Sequence, residues 1–431
     1  MIVTSSFRIC AYTLSFAVIL GACDQDQRAA TGGRKILTSI ADTAFMQEYH
    51  QGYPVAADPF SSEVRSITVD SEGTVWIATP AGVFTKGTRE QHWSDAIPKS
   101  AQGPAFDVET DGESVWISVW DGVYRFRENK LQRIQGAEAP VSSLCVTKEG
   151  VYALGPKGVW LSQGEDFHKL EYNIARSVRD VVSDNKGGLW IGTDVGLYHS
   201  TDQATKHFLG SDALTSAYIR GVAIDGDKIW AGGLGGISIL QNEKKHKTLQ
   251  TKDGIPSINV NCIERSPDGV MWVGTDVGVV RYYPDGSHSL LFSRRWLLDD
   301  KVNDITFDHH GNAWIATAGG VSVIRKKQMT LATKEQYFYD VLMRRHIRDP
   351  WIAGQCRLTV AGDTTSWTPE DDDNDGEYTG NYLAMESFRY AVTRSDDAKV
   401  KAKKAFQFLK FLQEVTDTDG FFARTIVPAT W

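Results

Sequence analysis

VRSITVDSEGTVWIATPAGVF, residues 64–84, and VNDITFDHHGNAWIATAGGVSVI, residues 302–324, are one phrase written at the two ends of a long array. Each holds two short runs of Val, Ile and Thr at alternating positions, joined by a polar turn of Asp, Asn and Gly, which is the chemistry of strands and hairpins. The mark of the phrase is an aromatic residue followed six positions later by glycine. It recurs as Trp76 and Gly82, Trp116 and Gly122, Tyr152 and Gly158, Trp190 and Gly196, Trp230 and Gly236, Trp272 and Gly278, and Trp314 and Gly320, with steps of 40, 36, 38, 40, 42 and 42 residues between aromatics. Periods of about 40 to 45 residues belong to four-stranded propeller blades. One blade cannot bury both of its faces, so the blades must close into a ring. The expected fold is an all-β seven-bladed β-propeller over residues 61–327, followed by a small α-helical segment over 328–431.

The repeated residues have structural tasks. In turns such as Asp70 to Gly73 and Asp308 to Gly311, the Asp side chain caps its own turn while Gly accepts a positive φ. The aromatic that follows offers a large area to the space between blades, and the later Gly relieves a second tight turn. Residues that break the pattern are therefore the better site candidates. Propellers bind ligands at the mouth of the central channel, where the loops gather. On that reasoning Trp120 and Asp121, which interrupt the pattern in blade two, and Asp194, Arg220, Asp276 and Asn303, near strand ends, are the expected ligand-binding residues. Aromatic faces stack on sugar rings and carboxylates bond hydroxyls, a combination suited to a glycan.

Composition supports a folded chain and excludes one class of partner. Of 431 residues, 42% are hydrophobic and 23% charged, and 39 glycines with 13 tryptophans suit many tight turns beside recurrent aromatic positions. The formal charge of −8 argues against nucleic acid, which calls for a basic patch or stripe.

Residues 1–23 read as a targeting segment. Arg8 supplies the positive start, Ile9 to Leu20 the apolar run, and Leu20-Gly21-Ala22-Cys23 resembles the bacterial lipobox, with Cys23 as the lipidation site. An ordinary secretory signal cut after Gly21 or Ala22 is the alternative. Lipidation implies stable anchoring of the chain to a membrane of the bacterial cell envelope, facing the periplasm or the exterior. Asp24 resembles the residue that retains some lipoproteins in the inner membrane. Residues 24–60 read as a linker in which 34–60 holds a candidate blade-closing strand. Cys145, Cys262 and Cys356 are an odd number far apart, so no disulfide framework follows. Cys145 and Cys262 sit in apolar strand-like runs as small core residues; a nucleophilic role would need a histidine partner that the sequence does not place.

GLWIGTDVGLY, 188–198, and VMWVGTDVGVVRY, 270–282, resemble the two-component regulator propeller repeat. That resemblance implies a seven-bladed propeller and, for many relatives, carbohydrate recognition. Kinase sensors of this kind carry two propellers, an immunoglobulin-like module and a membrane helix leading to a kinase. The expectation here is instead a separate lipoprotein, with a sensor as one conceivable partner.

Beyond Lys327 the periodicity becomes helical. MTLATKEQYFYDVLMRRHI, 329–347, predicts a helix from about Thr333, and two more are expected over Thr379 to Thr393 and Asp397 to Thr416 as an αα-hairpin. In the last, Ala405, Phe408, Leu409 and Leu412 form the apolar stripe. EDDDNDGEYTGNY, 370–382, is the densest charge cluster. Asp371, Asp373 and Asp375 before Gly376 match the first half of a calcium loop, although its twelfth position is Tyr382 rather than a bidentate Glu. An acidic lead into a helix is the alternative. Calcium is the one cofactor entertained.

DNDGEYTGNYLAMESFRYAVTRSDDA, 373–398, with RRHI upstream and GFFARTIVP downstream, resembles the opening of an (α/α)-toroid domain, a class that includes glycan-active hydrolases and lyases. The expectation is an incomplete toroid. If catalysis resides there, Arg345, His346, Asp375, Glu386 and Arg389 are the residues that this resemblance recommends. Three functional readings follow. The first is a membrane-anchored recognition module for a glycan or an envelope protein, without catalysis, since the propeller shows no nucleophile with its base, metal triad or phosphate loop. The others are a carbohydrate-active enzyme whose toroid is largely missing, and an assembly scaffold.

Overall fold

The computed structural model describes residues 41–427 except 57, 88–89, 91, 98–102, 164, 172–177, 185, 202, 211–212, 350, 361–363 and 371–373. The targeting segment with Cys23 lies outside them. Within the described residues are seven four-stranded antiparallel sheets, each a blade. Blade one runs Ser66–Val69, Val75–Thr79, Gly82–Lys86, Ser94–Asp95 from its inner to its outer strand. Blades two to six repeat that order, with inner strands at Ala105–Thr110, Ser143–Val146, Val178–Ser183, Ile219–Asp225 and Val260–Arg265. Blade seven takes Val302–Phe307, Ala313–Thr317 and Gly320–Met329 from the end of the array, and its outer strand, Phe45–Tyr53, from the beginning. Phe45 pairs with Met329 and Tyr53 with Val321, so the two ends of the propeller are held by one ladder. Tyr53 also stacks on Trp314 at 5.8 Å between ring centroids. A one-turn helix, α1 (Pro59–Ser62), capped by Asp58, carries the chain from this strand into blade one.

The cores lie between blades. Trp76, Ala78 and Val83 of blade one pack with Val108, Val115 and Ile117 of blade two, and Trp314, Val321 and Val323 of blade seven pack with Ile67, Val75 and Ile77 of blade one. All seven repeat aromatics are buried. Burying polar indole N–H groups calls for partners, and in blades one, two and seven the turn Asp supplies them, whereas Trp230 Nε1 has none among the described residues. Asp70 Oδ1 accepts from the backbone N–H of Glu72 and Thr74 while Oδ2 accepts from Trp76 Nε1 at 2.9 Å. Asp111 with Trp116 and Asp308 with Trp314 repeat the arrangement at 2.8 and 3.0 Å. The turn glycine Gly73 has φ 82°, as the sequence requires. At Gly196, φ 139°, an added Cβ would lie 2.5 Å from the Phe208 carbonyl oxygen, so close strand approach rather than the turn alone demands glycine there.

Three longer helices follow. α2 (Leu331–Arg345) begins two residues before the expected start because Thr330 accepts from the Thr333 N–H and caps it. α3 (Asp375–Thr393) begins a full turn before Thr379, and α4 (Asp396–Glu414) follows the left-handed Arg394 and the N-cap Ser395. The earlier start of α3 has a cause: Asp375, fully buried, pairs with Arg348 Nη2 at 2.5 Å and accepts from Thr425 Oγ1, which fixes the first turn. Of the three residues read as a calcium loop, Asp375 thus has one oxygen held by a guanidinium and a hydroxyl. No cluster of three or more His, Cys, Asp or Glu side chains able to hold a metal occurs among the described residues. Asp371 and Asp373 lie outside them. α3 and α4 form the αα-hairpin, cored by Ile352, Phe408 and Leu412 and by Ala353, Tyr382 and Ala405.

Candidate ligand site at the channel mouth

The inner strands line the central channel. In each blade the start of the inner strand lies beside the turn between the second and third strands, because Ser66 pairs with Ala78 and Thr79 with Gly82. Channel mouth and these turns therefore share one face. The first inner-strand residue after an apolar opener is, blade by blade, Arg65, Phe106, Ser142, Arg179, Arg220, Asn261 and Asn303, and all seven line a cavity of about 540 Å³. Five of them occupy a shift of register: the ladder skips from Ala105 to Asp107, Val178 to Asp180, Ile219 to Gly221, Val260 to Cys262 and Val302 to Asp304. A bulged residue is released from the ladder and its side chain re-aimed. Here the bulge turns Phe106, Arg179, Arg220, Asn261 and Asn303 to the mouth.

The mouth is organised by hydrogen bonds. Arg220 Nη1 donates to Asn261 Oδ1 at 2.7 Å; Asn261 Nδ2 donates to Asp276 Oδ1 at 2.9 Å and to the Val302 carbonyl. Asn259 Nδ2 donates to the other Asp276 oxygen, and Asn303 Nδ2 donates to the Val64 carbonyl across the seam of the ring. Arg65 Nη1 donates to the Ala105 carbonyl at 3.0 Å. Arg179 and Arg220 both lie over the ring of Tyr218, at 5.2 and 5.1 Å. None of the three arginines has a carboxylate within ion-pair distance among the described residues.

Below the mouth the next residues are Asp107, Asp180 and Asp304. Each bridges blades: Asp107 accepts from the N–H groups of Val108 and Leu144, Asp180 from Val181 and Val222, Asp304 from Ile305 and Ile67. One layer deeper sit Glu109 and Glu264. These carboxylates line the channel, where its walls crowd them: Asp107, Glu109, Asp180 and Asp304 are half-buried, while Glu264 is exposed to channel space. That confinement is the largest cause of raised carboxyl pKa values: Asp180 and Asp304 are pushed up to about 7 and Glu264 to about 8. Mutual repulsion adds to it, most strongly at Glu109, which is raised well above the usual range. Confinement also raises the thiols of Cys145 and Cys262, which line the same channel, and so keeps them protonated and unreactive.

The structure brings Arg220 and Asn303 together at the mouth, with Asp276 immediately behind them. Asp194 occupies the turn of blade four equivalent to that of Asp276, and its buried Oδ1 has no hydrogen-bond partner among the described residues. Trp120, 54% exposed, packs against Gly103, and Asp121 accepts from Tyr124 Oη; both lie in the turn between the second and third strands of blade two, on the face of the mouth but not in the cavity wall. In the helical region Glu386 accepts from Tyr339, Tyr382 and Arg389, and Arg389 also reaches Asp397, so these polar groups hold helices together. Arg65, Arg179, Asn261, Tyr218 and the channel carboxylates were not among the sequence candidates. The signal was present: aligned on the apolar opener, the repeats place three arginines in one column.

Comparison with known proteins agrees with this architecture. The family model described as two component regulator propeller matches residues 58–81 and 254–277. The extracellular domain of the putative one component system BT4673 from B. thetaiotaomicron is 13% identical with a TM-score of 0.54, over 64% of this chain and 40% of that one. Virginiamycin B lyase from Staphylococcus aureus is 12% identical with a TM-score of 0.51, over 65% of this chain and 99% of the lyase. Likeness at this level establishes the propeller alone. A xyloglucanase of Hypocrea jecorina is 26% identical over 235 residues, covering 48% of this chain and 27% of the xyloglucanase. The chain is a seven-bladed β-propeller with two-component regulator propeller repeats and C-terminal helices.

Proposed function

We propose that this protein is a recognition module, lipid-anchored through Cys23 in the bacterial cell envelope, that binds a saccharide at the channel mouth without transforming it. The observation that carries the reading is the ring of Arg65, Arg179, Arg220, Asn261 and Asn303 at the mouth, the last four turned there by bulges, with Phe106 and Tyr218 beside it. Sugar hydroxyls need donors and acceptors at once, which amides provide, and the apolar face of a pyranose packs on aromatic rings. Unpaired guanidinium groups favour a saccharide that also bears a carboxylate or another anionic substituent. The similarity to a xyloglucanase supports a glycan as ligand, and the lipobox-like sequence supports the anchor.

Titration calorimetry with neutral and uronate-containing oligosaccharides tests the binding, with Arg220→Ala expected to weaken it at least tenfold, as loss of a charge-assisted contact does. Equal affinity of variant and parent, or no oligosaccharide binding alongside retention of an envelope protein, overturns the saccharide reading. Fractionation tests the anchor: Cys23→Ala is expected to move the protein from the membrane to the soluble fraction.

A further inference from the structure

The helical region holds a second cavity, about 650 Å³, whose wall includes Leu342, His346, Gln355, Cys356, Asn381 and Met385. His346 ends α2, where its backbone N–H bonds the Leu342 carbonyl. Its ring Nδ1 lies 3.0 Å from the Gly354 carbonyl oxygen. A carbonyl only accepts, so Nδ1 carries the proton and Nε2 presents its lone pair. That lone pair faces Cys356: Sγ and Nε2 are 3.9 Å apart.

The hairpin that links the two residues fixes both. The Gly354 N–H donates back to the His346 carbonyl at 2.9 Å, so ring and backbone of His346 are tied to the same glycine. Two residues on, Cys356 is pinned in a strand paired with Trp367–Pro369. Cys356 is half-buried and lines this cavity beside His346, whereas Cys145 and Cys262 line the propeller channel. Gln355 Nε2 donates to Tyr378 Oη at 2.8 Å, and the amide of Asn381 stands on the same wall. Nucleophile, base, a group orienting the base, and nearby N–H donors are the parts that covalent acyl chemistry uses.

We propose that Cys356 and His346 form a nucleophilic thiol–imidazole pair that accepts the acyl group of an ester bound in this cavity. The thiol proton passes to His346 Nε2 as sulfur bonds to the acyl carbon, and the carbonyl oxygen takes up the displaced electron pair within reach of the amide N–H groups. Collapse of that intermediate breaks the bond to the alcohol oxygen, which leaves with the proton held on Nε2. Water, deprotonated by Nε2, then attacks the thioester carbon and releases a carboxylic acid and the free thiol. Ester and water become acid and alcohol, with no oxidant or reductant required. The apolar wall of Leu342 and Met385 suits an apolar acyl portion. This site is independent of saccharide binding at the propeller.

The test uses the full chain. Alkylation of Cys356 by iodoacetamide at about pH 7, read by peptide mass spectrometry, is expected to run at least tenfold faster in the folded chain than in the urea-unfolded chain, where no imidazole is held beside the thiol. His346→Gln is expected to slow alkylation at neutral pH at least tenfold. p-Nitrophenyl acetate is expected to leave one acetyl group on Cys356, absent in Cys356→Ser. Alkylation of Cys356 no faster in the folded parent than in the unfolded chain overturns the proposal even if the histidine variant fails to fold. Folded His346→Gln with unchanged alkylation, or acetyl found elsewhere than on Cys356, overturns it as well.

Discussion

The propeller and the helical region solve the burial problem differently. Large fully buried side chains such as Trp160, Ile77, Leu154 and Leu240 fill the spaces between blades, while the helical region fully buries only a few such as Ile352 and Leu412, among the described residues, and α3 leaves Phe388 74% and Val392 83% exposed. In the ring, each blade's second face is covered by its neighbour, and the closing ladder between Phe45–Tyr53 and Gly320–Met329 makes the last neighbour available. In the helices, burial converges on the short list around Ile352, Tyr382 and Phe408. Closure, rather than local propensity, secures the propeller. That contrast can be broken most directly at the seam.

A chain starting at Ser62 lacks the closing strand, leaving the edge of Gly320–Met329 unpaired and Trp314 without Tyr53. Its melting temperature is expected to fall by more than about 10 °C, or its cooperative transition to vanish, since a loss of several kcal/mol shifts a domain of this size by that order. A chain ending at Met329 keeps every blade, and its transition is expected to move by less than about 3 °C. Calorimetry on the two truncations separates the cases; an unaltered transition without the closing strand would show that ring closure is dispensable.

Single side chains sharpen the same contrast. Trp314→Ala removes an aromatic packed between blades one and seven and one of the two donors to Asp308 Oδ2, leaving Asn312 Nδ2, at an expected cost of about 3–5 kcal/mol. Phe388→Ala, on an exposed helix face, is expected to stay within about 0.5 kcal/mol. Urea unfolding of both variants reads the difference, and similar losses would mean that Phe388 is covered in solution.

The same distinction explains what the sequence revealed. The blades were legible because Trp76, Trp116 and Trp314 meet equivalent partners at equivalent spacings, so repetition itself exposed their role. Arg220 and Asn303 were legible as residues outside the pattern. Arg65 and Arg179 were not, because their exposure to the mouth depends on a one-residue register shift or on the ring geometry, neither of which alternation discloses. Asp107, Asp180 and Asp304 gave no signal in the sequence, because their bridging of adjacent blades joins residues 37 apart to Leu144, 42 apart to Val222 and 237 apart to Ile67. In the helical region the apolar stripe placed α4 to within two residues. The start of α3 was misjudged because its first turn is fixed by Arg348 and Thr425, far away in the chain.

Two carboxylates extend the comparison to pH. Glu386, in the helical region, accepts from Tyr339 and Tyr382 through one oxygen and from Arg389 through the other. Glu386→Gln is therefore expected to destabilise by about 1–3 kcal/mol, because it weakens charge-assisted bonds. Glu264 instead stands near Asp304 and Asp180, with its carboxyl pKa pushed up to about 8 from the ordinary 4.5. A folded-state pKa above the unfolded one means that the folded protein holds the proton more firmly. The resulting stability is complete below about pH 4 and is lost as pH rises through about 8. Glu264→Gln keeps the shape without the charge, so melts at pH 5 should nearly coincide with the parent while at pH 8.5 the variant should be the more stable. Parallel curves at both pH values would show that channel water hydrates Glu264 as bulk water does, and the opposite signs predicted for the two glutamates would disappear.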